Sequence, residues 1–170
     1  DNAGDNLDAT DLSTLGGKTA GTVTVSNAVN IQGNTSQVTA ALVTDETKVV
    51  AANATVEISN DSTVAELNAL APKAGVITGS IAATSLASLS GLATAGTDLI
   101  TITVNDNAGD TLNATDLSTL GGKTGGTVTV SNAVVISGTT SQVTGALVTD
   151  DTKVTASSAL VTISDAGTTN

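Results

Sequence analysis

Apolar residues recur along this chain in two alternating spacings. After Asp8, the run ATDLSTL sets Leu12 and Leu15 three apart, one face of a short helix that Asp8 can cap and the pair Gly16 and Gly17 can end. The run GTVTVS then sets Val23 and Val25 two apart, the alternation of a half-buried strand. The next apolar pair, Val29 and Ile31, returns on an adjoining face after a turn at Ser26 and Asn27. The alternation then repeats. Asn34 with Gln37 has capping-box spacing before SQVTAAL, and Val49, Val50 and a strand from Val56 to Ser59 follow. Thr63 with Glu66 opens VAELNAL, where Val64, Leu67 and Leu70 share a face and Pro72 stops the helix before a strand from Gly75 to Ser80. A weaker helix over Leu86, Leu89 and Leu92, interrupted by Gly91, precedes the strand Leu99 to Val104, whose adjacent Leu and Ile predict a strand covered on both faces.

The pattern is a duplication. Shifting the sequence by 105 residues aligns Asp1–Ser59 with Asp106–Ser164 at 46 of 59 positions, and Ala9–Val29 returns as Ala114–Val134 with one change. Asn113 replaces Asp8 as the cap, and Thr139 with Gln142 replaces Asn34 with Gln37. Within the long period the helices begin at steps of about 26 residues. The expected fold is therefore a repeat protein, a β-rich solenoid of strand-turn-short-helix coils. Residues 1–105 form a first long repeat of four coils and 106–170 a partial second, in one continuous array without a linker. Residue 1 falls inside the repeat, so the chain reads as a piece of something longer. By register, a strand like Leu99 to Val104 is expected before Asp1, and a helix like VAELNAL after the strand Val161 to Ser164.

Composition narrows the chemistry. The 170 residues include no Phe, Trp, Tyr, Met, Cys, His or Arg, so the core must be Val, Ile, Leu and Ala. Without Cys or His there is neither a soft or imidazole ligand set nor a Ser-His or Cys-His nucleophile pair. Sixteen acids against five lysines, net −11, disfavour phosphate backbones, and no aromatic residue can stack a base or a sugar ring. The reading is not an enzyme, without cofactor, nucleic-acid partner or membrane insertion. Lys18, Lys48, Lys73, Lys123 and Lys153 each follow an expected helix, where a cation meets the carbonyl end of the dipole.

Three polar patterns remain as candidate sites. Asp1, Asn2, Asp5 and Asp8 around Gly4, repeated as Asp106, Asn107 and Asp110 around Gly109, offer hard oxygen ligands of the kind calcium takes, although they match no EF-hand or nonapeptide pattern. A second acidic turn lies at Asp45 and Glu46, matched by Asp150 and Asp151, with a lysine adjacent. Thr-x-Thr pairs at Thr22 and Thr24, Thr101 and Thr103, and Thr127 and Thr129 suit an ice-binding face only on consecutive strands, and VEIS and VITG intervene. Sequons occur at Asn34, Asn53, Asn60 and Asn113.

The motif ATDLSTLGGKTxGTVTV, with TVAELNALAPKAGVIT and SQVTAAL, resembles the Thr/Ala/Gly-rich tandem repeats of very large bacterial surface proteins, found in cyanobacterial adhesin-like and haemolysin-like sequences. The resemblance covers the whole chain and implies export to the cell surface, a rod-like solenoid and no catalytic residue. The expected function is a structural segment of an extracellular filament or surface appendage, self-associating through uncapped ends with copies of itself or adjacent repeats. A calcium-dependent adhesin module is the alternative, and a surface polysaccharide is a further candidate partner.

Overall fold

The computed structural model describes residues 1–44, 48–149 and 152–165, which divide into two compact units, residues 1–81 with 98–100, and residues 82–97 with 101–170. The acidic turns at Asp45 and Glu46 and at Asp150 and Asp151 lie outside the described residues.

Unit 1 runs β1 (Asn6–Asp8), α1 (Ala9–Gly17), β2 (Val23–Thr24), β3 (Asn30–Gly33), α2 (Thr35–Leu42), β4 (Val49–Val50), β5 (Thr55–Ser62), α3 (Val64–Leu70), a 3-10 turn (Ala71–Lys73) and β6 (Val76–Ile81). The helices start where the capping residues stand. Asp8 accepts from Thr10 N, and Asn34 with Gln37 and Thr63 with Glu66 form complete capping boxes. Pro72, which cannot continue the hydrogen-bond ladder, sits in the 3-10 turn that closes α3. Strands β1, β3, β5 and β6 are all parallel, with Leu7, Ile31, Val56 and Ile77 in register; all but Leu7 are fully buried. Burying each such side chain contributes about 1.5–3 kcal/mol. Helices α1 and α2 lie side by side, and Ala9, Val38, Ala41 and Leu67 close the core from the helical side. The buried N-terminus of α2 is tied to β5 by Asn60 Oδ1, which accepts from Thr35 N at 2.7 Å. Buried Asp98 likewise accepts from Ile77 N at 2.8 Å.

Unit 2 runs α4 (Leu86–Leu89), β7 (Leu99–Val104, its first two residues counted with unit 1), β8 (Thr111–Asn113), α5 (Ala114–Gly121), β9 (Val128–Val130), β10 (Val135–Gly138), α6 (Thr140–Leu147), β11 (Val154–Thr155) and β12 (Leu160–Ile163). Strands β8, β10 and β12 form a parallel sheet with Leu112, Ile136 and Val161 in register, and β9 lies parallel between β7 and β11. Asn113 caps α5 and Thr139 with Gln142 boxes α6.

In unit 1, β1, β3, β5 and β6 form a parallel sheet, in unit 2 β7, β9 and β11 pair in parallel, and six helices are found among the described residues. The chain is thus an α/β fold with a central parallel sheet, which corrects the expectation of a β-rich solenoid or β-helix. Parallel strands need crossover connections, and here the capped helices supply several of them and carry a large share of the core, whereas the period and the lack of aromatics had pointed to β-coils.

Smaller corrections have local causes. Gly16, Gly17 and Gly121 lie inside their helices rather than ending them, with Lys18 and Gly122 as the C-caps. At Gly121 the reason is close packing: a Cβ there would lie 2.8 Å from the carbonyl carbon of Thr152 and nearer still to its oxygen. Strand β7 is not covered on both faces, since Leu99 is 49% exposed while Ile100, Ile102 and Val104 are buried. Lys48 and Lys153 adopt φ of 51° and 52°, which turns their carbonyls to accept from Val23 N and Val128 N at 3.0 Å.

Candidate functional site

The candidate calcium turns are built alike in both units. Gly4 and Gly109, at φ of 85° and 88°, reverse the chain as a residue with a Cβ rarely can, and their N–H groups donate to Ala28 O and Ala133 O at 2.9 Å. Asp5 Oδ2 accepts from Asn2 N at 2.7 Å and Asp110 Oδ2 from Asn107 N at 2.9 Å. Asp8 caps α1, and the Thr10 backbone N–H holds its carboxyl below the ordinary value. Asp106 Oδ2 accepts from Leu86 N at 2.7 Å, and the carbonyls of Asp1 and Asp106 accept from Asn27 and Asn132 side chains. The carboxylates of Asp5, Asp8, Asp106 and Asp110 thus each hold a main-chain N–H. No group of three or more acidic side chains placed to hold a metal occurs among the described residues.

Two sequon asparagines, Asn34 and Asn113, are helix caps, and Asn60 holds the start of α2. Asn53 donates from its side chain to Ser26 O at 3.5 Å. In unit 2 the threonines do fall on consecutive strands. Thr103, Thr129 and Thr155 stand in register across β7, β9 and β11, because Thr155 supplies a position that the Thr-x-Thr pattern does not mark.

The duplication lets the same residue be compared in two settings. Leu120, on α5, is 4% exposed, because α4 packs beside α5 and places Leu86, Leu89 and Leu92 around it. Its counterpart Leu15, on α1, is 54% exposed. Leu15 borders a cavity of about 180 Å³ with Leu7, Leu12, Val23, Val25 and Val29. At the other repeated layer the contrast reverses: Val56 is fully buried by β3 and β6, while its counterpart Val161 is 47% exposed on β12, near Leu160 at 68%. One outer edge of β12 has no partner strand among the described residues.

The outward face of the unit 1 sheet is polar. Asn6, Asn30 and Thr55 form one row across β1, β3 and β5, and Asp8, Gln32 and Glu57 form the next, extended by Thr78 on β6. Glu57 Oε2 accepts from Asn30 Nδ2 at 3.0 Å and from Gln32 Nε2 at 2.7 Å, and Asn30 Nδ2 also donates to Asn6 Oδ1 at 3.1 Å. These amides, Asn30 first, hold the Glu57 carboxyl below its ordinary value. Asn30 Oδ1 is buried and has no partner. A shallow cavity of about 280 Å³ opens here, lined by Asn30, Thr55, Glu57 and Thr78 with Gly4 and Ala28. Sequence reasoning passed over this cluster because β1 reads as a polar turn and β3 as an unassigned apolar pair. The signal that marks it is the set of changed positions within the duplication.

The fold and these surfaces define a duplicated α/β protein that presents an apolar patch, an open sheet edge and a polar sheet face. Comparison with known protein families, with characterised proteins and with solved structures finds no match. No helix among the described residues is long and apolar enough to cross a membrane.

Proposed function

We propose that this chain is a non-enzymatic structural subunit or segment of an extracellular filament or cell-surface appendage, joined to copies of itself or to adjacent repeats of the same protein. The observation that carries the reading is the contrast between Leu15 and Leu120, one residue of one motif, open in unit 1 and covered in unit 2. A side chain whose twin is buried under a neighbouring helix marks a surface suited to a like neighbour. Val161 and Leu160, beside the unpaired edge of β12, offer the second half of such a contact, since an unpaired edge presents N–H and C=O groups to any extended strand. The pairing is heterologous, patch to edge, so each added copy leaves a free patch or a free edge to receive another. Net charge −11 opposes the approach of copies, so salt and a fall in pH toward the isoelectric point of about 4.1 favour it.

Sedimentation velocity across a concentration series tests the reading. The expected result is a mass that rises with concentration and salt for the wild type, and stays monomeric for Leu15→Glu and for Val161→Lys. A wild type that stays monomeric at its highest concentration in high salt refutes it.

A further inference from the structure

The two copies of the duplication differ at 13 of 59 positions, and six of the differences cluster on one sheet face. Six outward-facing positions of β1, β3 and the first part of β5 change: Asn6, Asp8, Asn30, Gln32, Thr55 and Glu57 become Thr111, Asn113, Val135, Ser137, Leu160 and Thr162, while Ser59 further along β5 is kept as Ser164. The inward-facing Leu7, Ile31, Val56 and Ile58 between them are unchanged as Leu112, Ile136, Val161 and Ile163. Exposure alone does not explain this. Thr10, Asp11, Thr14, Lys18, Thr22 and Thr24 are all exposed in unit 1, and all six are identical in unit 2. This stretch of one sheet face has therefore been rewritten while the inward-facing residues beneath it have been kept; the other seven changes are scattered over the remaining 53 aligned positions.

We infer that the outward face of β1, β3 and β5 in unit 1 is a binding site for a neutral polysaccharide, whose hydroxyl groups are received by Asn6, Asn30, Gln32 and Glu57. The chemistry of the cluster selects the ligand. Both amide donors to Glu57 fall on Oε2, leaving Oε1 with no partner among the described residues, and Asn30 Oδ1 is an acceptor without a donor. An occupant must therefore donate hydrogen bonds, and Thr55 and Thr78 on the cavity wall can donate or accept in return. The open Glu57 Oε1, with the hydroxyls of Thr55 and Thr78 on the same cavity wall, suits the hydroxyls of a sugar ring. A bound cation fits less well, because Glu57 is the only carboxylate in the cavity lining and Asp8 is committed to its cap. The equivalent face of unit 2, with Val135 and Leu160, lacks this set. With no aromatic platform in the chain, hydrogen bonds carry the affinity, so single-site binding is weak, on the order of millimolar. This inference does not depend on self-association.

The second copy supplies substitutions that the backbone already accepts. The test is titration of the full isotope-labelled chain with dextran and with cellohexaose, followed by the side-chain amide resonances of Asn6, Asn30 and Gln32. The comparison is the variant Asn30→Val, Gln32→Ser, Thr55→Leu, Glu57→Thr. Saturable shifts of these amides in the wild type, with binding at least about tenfold weaker by the retained Asn6 amide in a variant of unchanged circular dichroism spectrum, support the site, ten-fold being the loss of one to two hydrogen bonds. Calcium chloride and spermidine are titrated in parallel. Response to neither saccharide, saccharide binding that survives the four substitutions, or amide shifts driven only by the cations would each overturn it. The exchange Val135→Asn, Ser137→Gln, Leu160→Thr, Thr162→Glu is expected to install a second saccharide-responsive face in unit 2.

Discussion

Alanine in place of two adjacent glycines of unit 2 should move stability in opposite directions. A Cβ at Gly121 would meet Thr152 main-chain atoms, its carbonyl carbon at 2.8 Å and its Cα at 2.9 Å. That backbone has little room to withdraw, because Thr152 Oγ1 donates to Ala146 O at 2.9 Å and to Thr149 O at 2.8 Å. Overpacking a fixed site costs about 1–3 kcal/mol, and pinned backbone places Gly121 at the upper end. The helical preference of Ala over Gly returns about 1 kcal/mol, so Gly121→Ala nets a loss of about 2 kcal/mol. For a chain of this size that lowers Tm by roughly 4–8 °C. At Gly122 the φ is −68°, and a Cβ would find only ordinary contacts, Thr119 O at 3.5 Å and Ser118 O at 3.7 Å. There alanine should stabilise by about 0.4–1 kcal/mol, by restricting the unfolded chain. Because the chain has no aromatic residue, the assay is urea and thermal unfolding by far-ultraviolet circular dichroism rather than fluorescence. Equal effects of the two variants, or a stabilising Gly121→Ala, would refute the packing of α5 against Thr152.

Two further predictions follow from the duplication and the caps. Leu120→Ala should cost about 2–5 kcal/mol as a buried truncation, while Leu15→Ala in dilute solution should cost under about 1 kcal/mol; urea titrations of the two variants compare them directly, and similar values would mean that Leu15 is covered. Glu66 receives Thr63 N and Thr63 Oγ1, both at 2.8 Å, and these bonds, the backbone one first, lower its carboxyl below the ordinary value. The stabilisation is therefore fully present above the unfolded pKa of about 4.3 and is lost as pH falls through the lower folded value. Asp8, Glu57 and Asp165 are shifted in the same direction, so Glu66→Gln should shrink the acid loss without abolishing it, measured as Tm across an acid pH series.

The helices were legible because their determinants are local. Asp8, Asn34, Thr63, Asn113 and Thr139 each carry a cap within four residues of sequence, and every one starts a helix. Architecture was less so. The same alternation of helix and strand serves β-coils and an α/β sheet, and the choice depends on how much core the helices take, which Val38, Leu67 and Leu117 decide only once packed. Strands β1 and β8 were missed because each has a single apolar residue, Leu7 or Leu112, between polar neighbours, and pairing with β3 or β10 defines them. The polar face escaped for the same reason: Asn6, Asn30 and Glu57 stand 24 and 27 residues apart in the chain and meet only across strands.

The register of the strands has a consequence for how each unit folds. Paired residues within the units lie between 19 and 26 positions apart, from Ser62 and Ile81 to Val128 and Val154. Loop-closure entropy grows so slowly with length that these pairings differ by only about 0.3 kcal/mol in the cost of bringing their ends together. Topology therefore gives no strand pair a head start. The order of assembly falls to local sequence, and α3, with its capping box and three apolar residues on one face, is the segment best equipped to form early and to draw β5 and β6 together across it.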